Sequence, residues 1–110
     1  MQMNRRKAKL YELQASVLKA AAHPVRLAVL DCLRDGEQCV CKLAEAVGTE
    51  RTNLSRHLAV MVRSGLLSCR KDGLWVHYRL EAPCALKFLG CVCDVLKERE
   101  KRSREILRGL

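Results

Sequence analysis

Apolar positions recur along the chain with two spacings, and the places where the spacing breaks divide it into elements. From Arg5 to Ala22 they fall at Leu10, Leu13, Val17, Leu18 and Ala21, the repeat of a helix with one apolar stripe. His23-Pro24 interrupts the repeat. Proline disfavours the α-region for the residue before it but suits the first position of a new helix. A second helix is therefore expected over Val25–Arg34, with Cys32 on the stripe of Val25, Ala28 and Val29, ended by Asp35-Gly36. A third, Cys39–Val47, turns Leu43, Ala44 and Val47 inward and closes at Gly48. Thr49 then suits the N-cap of a fourth helix, Glu50–Ser64, whose Leu54, Leu58 and Met61 fall on one face.

Beyond Ser64 the spacing drops to two. Strands are expected over Leu66–Arg70 and Leu74–Leu80 around Lys71-Asp72-Gly73, with Asp-Gly as the tight turn. On the second strand Leu74, Val76, Tyr78 and Leu80 face one way and Trp75, His77 and Arg79 the other. Pro83 opens a last helix, Cys84 to about Arg108, apolar at Leu86, Phe88, Leu89, Val92, Val95 and Leu96, then charged from Lys97 to Arg104. Within it Glu98–Arg102 and Glu100–Arg104 stand at i, i+4. Two helices joined by a Gly-containing turn and followed by a hairpin make a winged helix-turn-helix. The expected fold is mainly α with a β-hairpin, one domain over 1–110. Within it 39–64 is the helix-turn-helix and 66–80 the wing, while 1–22 and 82–110 carry more apolar surface than one small core needs and serve as dimerisation helices.

Composition narrows the partner. Lys and Arg number 21 against 12 acids, a formal charge of +9 on 110 residues, which favours a polyanion, nucleic acid first. No apolar run approaches the roughly 18–20 residues of a spanning helix. Met1–Lys9 leads into an amphipathic stretch and not into a signal-peptide core, so no membrane partner and a cytoplasmic location are expected. An odd count of seven cysteines in that setting argues against a disulfide framework. Reduced thiols are then packed hydrophobes or metal-binding and reactive groups. Cys32, and Cys69 beside Leu67, read as packed. A thiol enzyme is not expected, since no Cys-x-x-Cys occurs and no His stands in a cysteine-activating context.

The leading end of the fourth helix holds Arg51, Thr52, Asn53, Ser55 and Arg56 away from the apolar stripe. A recognition helix enters the major groove by this end, and these residue types bond bases and phosphates. His57 lies at the stripe's edge and is placed with them. Arg70 and Lys71 at the wing suit phosphates across the groove. Arg5, Arg6, Lys7 and Lys9 are either a solvated helix end or further phosphate contacts, and Trp75, the only tryptophan, covers the hairpin or touches a partner.

Five segments, KAAAHPVRLAVL (19–30), EQCVCKL (37–43), SRHL (55–58), SGLL (64–67) and RKDGLWVHYRL (70–80), resemble the ArsR/SmtB family over roughly residues 15–95. The resemblance implies a metal- or metalloid-responsive winged-helix repressor. It would be a homodimer joined through its first and last helices, released from double-stranded operator DNA when its effector binds. Cys39-Val40-Cys41 is similar to the ELCVCDL segment of the family's arsenite and cadmium/lead sensors, which implies that Cys39 and Cys41 are ligands. Soft thiolates suit As(III), the favoured effector, as well as Sb(III), Cd(II) or Pb(II). On a regular helix, i and i+2 side chains point about 200° apart, so one ion between them requires a distorted first turn. Position 44, where some arsenite sensors have a third cysteine, is Ala44, and no cysteine precedes Cys32. The last helix lacks the histidines of the zinc and nickel sensors but carries Cys91-Val92-Cys93 and Cys84, which are either further ligands or packed. Two other inputs fit the same fold: a persulfide or redox pair of Cys32 with Cys91 or Cys93, and a structural zinc or iron–sulfur module on Cys39, Cys41, Cys91 and Cys93.

Overall fold

Asn4 opens the first helix: its side-chain Oδ1 accepts the Lys7 backbone N–H at 2.8 Å, filling one of the orphan donors of a helix start. The computed structural model describes residues 4–110, so the first three residues of the expected 1–22 segment lie outside it. From there α1 (Arg5–Ala21), α2 (Pro24–Cys32), β1 (Gln38–Cys39), α3 (Val40–Val47), α4 (Arg51–Arg63), β2 (Leu67–Asp72), β3 (Trp75–Leu80) and α5 (Cys84–Arg108) follow in order. His23 caps α2, its Nδ1 accepting the Val25 N–H at 3.1 Å, with Pro24 in the first turn.

The core is built by the middle of the chain. Val29, Leu30 and Leu33 from α2 and its end meet Val40 and Leu43 of α3, Leu54, Leu58 and Met61 of α4, and Leu66 and Leu67 where the wing begins. The stripe expected on the fourth helix is thus wholly buried. By contrast α1 contributes only Ala20 to the buried set, and α5 contributes nothing fully buried. Leu10, Leu13, Val17, Leu18, Phe88, Val92, Val95 and Leu96 are all exposed in one protomer. A groove of about 410 Å³ runs between the two terminal helices, lined in part by Val17, Leu18, Phe88, Leu89 and Val92. Past this apolar half α5 carries its Glu98–Arg102 (3.8 Å) and Glu100–Arg104 (2.6 Å) pairs in the open. No described helix is long and apolar enough to cross a membrane.

Four local expectations are corrected. Thr49 is not the cap of α4. Gly48, at φ +75°, and Thr49 both return their N–H groups to the Ala44 carbonyl, so Thr49 still belongs to the turn that closes α3. Glu50 caps instead, its carbonyl accepting the Leu54 N–H at 2.9 Å. The wing turn is Gly73-Leu74, because Asp72 pairs with Trp75. Gly73 has positive φ (+63°) and Leu74 does not, the pattern of a type II′ turn. Leu74 therefore sits on the turn at 95% exposure instead of facing inward with Val76, Tyr78 and Leu80. Cys69 is exposed and not packed. Finally, the hairpin has a third strand: β1 pairs antiparallel with β3 (Gln38↔Tyr78, Cys39↔His77), giving the order β1-β3-β2. Cys39 is consequently an extended N-cap residue (φ −76°, ψ 156°) and not the first residue of a helix.

Candidate nucleic-acid interface and thiol site

Three leucine-and-methionine anchors on one face of α4 leave its opposite face outward. Arg51, Thr52, Ser55 and Arg56 are exposed and Asn53 is half-buried. Within this row the Asn53 amide donates to Thr49 Oγ1 at 2.9 Å, and Ser55 Oγ donates to the Arg51 carbonyl at 2.9 Å. Asn53 keeps its carbonyl oxygen and a second N–H for other partners. Arg51 and Arg56 make no salt bridge among the described residues, so both guanidinium groups face water as unneutralised cations.

His57 turns toward α2. Its Nδ1 accepts from Arg26 Nε at 3.0 Å, and its ring stands 4.3 Å from that of His23. Arg26 also donates to the Ala20 carbonyl at 3.4 Å, so one guanidinium joins the end of α1 to α4. With Nδ1 occupied as an acceptor, the neutral ring carries its proton on Nε2, which remains free to donate. Burial first, and then the charges of His23, Arg26 and Arg56, hold the His57 imidazole below the ordinary histidine range. The unfolded chain therefore takes up this proton at higher pH than the folded one, and stability falls as pH drops from about 6.5 into the window between the two values. Glu37 and Glu81, held below the usual carboxylate range chiefly by Arg70 and by Ser68 with Arg79, act only at more acidic pH. Urea midpoints measured between about pH 7.5 and pH 5 are expected to fall in the wild type and to fall less in His57→Asn. An identical slope in the variant would remove His57 as the source.

The wing's cations are unequal. Arg70 Nη2 lies 2.6 Å from Glu37 Oε1, its Nε donates to both Glu37 oxygens at 3.0 and 3.1 Å, and its Nη1 is 3.9 Å from Asp72. Arg79 is bonded to Glu81 at 2.7 Å. Lys71 is exposed and, among the described residues, has no such partner. Glu37, Glu81 and Arg26 were not singled out by sequence reasoning. Only Glu37 left a trace, two residues before the Cys-x-Cys pair.

The two thiols of that pair face different surroundings. Cys39 lines a shallow hollow of about 380 Å³ with Glu37, Gln38, Lys42 and His77. Cys41, in the first turn of α3, leans on the hydrophobic core. Soft sulfur donors two residues apart fit a thiophilic ion by their chemistry, and joining them on one ion requires the first turn of α3 to open or Cys41 to leave the core. Cys84, Cys91 and Cys93 are exposed on α5. Among the described residues of one protomer no three His, Cys, Asp or Glu side chains converge as a metal site, so Cys39, Cys41, Cys91 and Cys93 do not assemble a module within the chain. Cys32 is half-buried, and burial together with Asp31 pushes its thiol up, away from the thiolate that a persulfide or redox sensor uses.

Comparison with known proteins places these features in company. A family model described as "Bacterial regulatory protein, arsR family" matches residues 23–68, from the cap of α2 into β2. The arsenical resistance operon repressor of Escherichia coli (strain K12) is 45% identical over 99 residues, covering 89% of this chain and 85% of that protein. Among solved structures, NolR from Sinorhizobium fredii superposes with a TM-score of 0.76 at 32% identity, covering 86% of this chain and 95% of that one. A homodimeric winged helix-turn-helix DNA-binding domain from Mycobacterium bovis gives 0.75 at 32% identity, covering 91% and 93%. The expected winged helix-turn-helix is therefore the fold observed, and the matched proteins are regulators, not enzymes.

Proposed function

The chain belongs to the arsR family of bacterial regulatory proteins, and from that premise we propose that it is a homodimeric repressor released from operator DNA by a thiophilic metalloid, As(III) first, bound through Cys39 and Cys41. The arsenical resistance repressor of E. coli, alike over most of both chains, supports the choice of effector. One observation carries the mechanism. Cys39 is at once the N-cap of the first helix of the α3–α4 pair and a member of the sheet that contains the wing. A ligand on its sulfur therefore acts on both parts of the DNA-reading unit. When bound, the effector supplies a strong thiolate bond at that junction. The chain's own residues do the rest: Arg51, Thr52, Asn53 and Arg56 address base edges and phosphates, Leu54, Leu58 and Met61 fix the helix that presents them, and Lys71 reaches a phosphate from the wing.

The test is an operator titration on reduced protein, alone and with arsenite, cadmium, zinc or a persulfide donor. Arsenite is expected to weaken binding by about 10–100-fold, the usual range of a coupling between two sites. A response to persulfide alone would overturn the choice of effector. In the same assay Lys71→Ala is expected to weaken all duplexes alike and lower the slope of log affinity against log salt by about one. An unchanged slope would take Lys71 off the phosphates.

A further inference from the structure

The row of paired residues across the wing sheet joins two parts of the site that the chain keeps 31 positions apart. Cys39 on β1 stands opposite His77 on β3, and His77 stands opposite Arg70 on β2. Directly paired side chains in an antiparallel sheet share a face, so the thiol and the wing cation lie on one surface with the imidazole between them. Glu37, two residues before Cys39, reaches over the same surface. Its carboxylate accepts from Arg70 Nε through both oxygens (3.0 and 3.1 Å), approaches Arg70 Nη2 at 2.6 Å, and lies 3.8 Å from His77 Nδ1. The segment 37–39 thus bears a candidate effector ligand at one end and a clamp on the wing at the other. Two residues span at most about 7 Å, so a movement of Cys39 out of its strand pairing reaches the backbone that carries the carboxylate through a short tether.

We propose that Glu37 is the positioning residue that couples the thiol pair to the wing: it holds Arg70 while Cys39 is paired in β1 and lets Arg70 go when an effector draws Cys39 out of the sheet. The proposal rests on the sensor reading above and adds the route by which occupancy reaches the wing. The neighbouring cation does not share this clamp: Arg79 lines the same hollow as Glu37, but its hydrogen bonds go to Glu81 just past its own strand end. The clamp is an exposed pair, a class that contributes little to folding stability. Its loss is expected to change coupling and not the fold.

The experiment uses the full chain as wild type, Glu37→Gln and Glu37→Asp, with three readouts. Arsenite uptake is followed by the ultraviolet absorbance of thiolate–arsenic bonds, wing exposure by acrylamide quenching of Trp75 (the only tryptophan, 53% exposed beside the wing turn), and DNA binding by anisotropy of a labelled operator. Without arsenite, Glu37→Gln is expected to raise the quenching of Trp75 above wild type, because the strand beside it is no longer clamped. With arsenite, Glu37→Gln is expected to take up the metalloid while its operator affinity changes by less than about threefold, against about 10–100-fold in wild type. Glu37→Asp, which keeps the carboxylate, is expected to restore part of the response. A Glu37→Gln protein that binds arsenite and releases DNA like wild type overturns the coupling. Absence of thiolate–arsenic absorbance in wild type overturns the sensor reading instead, and unchanged Trp75 quenching without arsenite overturns the clamp itself.

Discussion

In a Cys39→Ser/Cys41→Ser protein, operator affinity is expected to be the same with and without arsenite, whereas the wild type loses about 10–100-fold. A hydroxyl keeps the size of a thiol but has none of its softness, so the bond to a thiophilic ion is lost while packing is nearly preserved. The two single variants are expected to differ in stability. Cys39 makes no side-chain bond to the start of α3, and serine is among the strongest N-caps, so Cys39→Ser can supply a missing cap worth up to about 1 kcal/mol. Cys41 packs against the core, and its serine variant is expected to be the less stable of the two. Thermal midpoints of the unliganded proteins check this order, and anisotropy with arsenite checks the response. A double variant that still releases DNA would move the effector to the exposed Cys84, Cys91 and Cys93 of α5.

What could be read in advance follows from how many residues carry each signal. The stripe Leu54, Leu58, Met61 repeats over two turns, and all three are buried; the span Cys84–Arg108 was likewise bounded by Pro83 and sustained by its apolar repeat. Strand β1 had no such signal. It is two residues long, too short to alternate, and it forms because β3 offers a free edge and Gln38 Nε2 anchors it to the Cys32 carbonyl at 2.7 Å. Missing β1 placed Cys39 on a helix and made the 200° divergence of the two thiols look like a purely helical problem. The difference that matters is instead one of surroundings, an open hollow for Cys39 and the core for Cys41. Thr49 and Asp72-Gly73 failed for a related reason. Each has good turn chemistry, but the closing turn of α3 and the Asp72–Trp75 pairing shifted the boundary by one residue. Glu37 was invisible because its partner Arg70 is far along the chain and meets it only through the sheet.

A second large effect is expected at Phe88. It is 56% exposed in one protomer and lines the groove between α1 and α5 with Val17, Leu18 and Val92, each also exposed. Apolar surface of this extent is uncommon on a monomer and marks an interface. A second copy fits it because the M. bovis neighbour, alike over nine-tenths of this chain, is a homodimer. Glutamate at 88 would place a charge against that apolar surface on both copies at once, and a buried unpaired charge is strongly unfavourable. Phe88→Glu is therefore expected to be monomeric at micromolar concentration by sedimentation equilibrium, with its helix content kept, since the side chain lies outside the protomer core. Its operator affinity should fall by about 10²–10⁴-fold, because the second half-site contact, roughly 34 Å away on the duplex, is no longer intramolecular. Lys97→Glu, on the charged stretch of the same helix, separates loss of the interface from a general charge effect and is expected to remain dimeric. A Phe88→Glu protein that stays dimeric and binds operator like wild type would show that the two recognition helices are paired through some other surface.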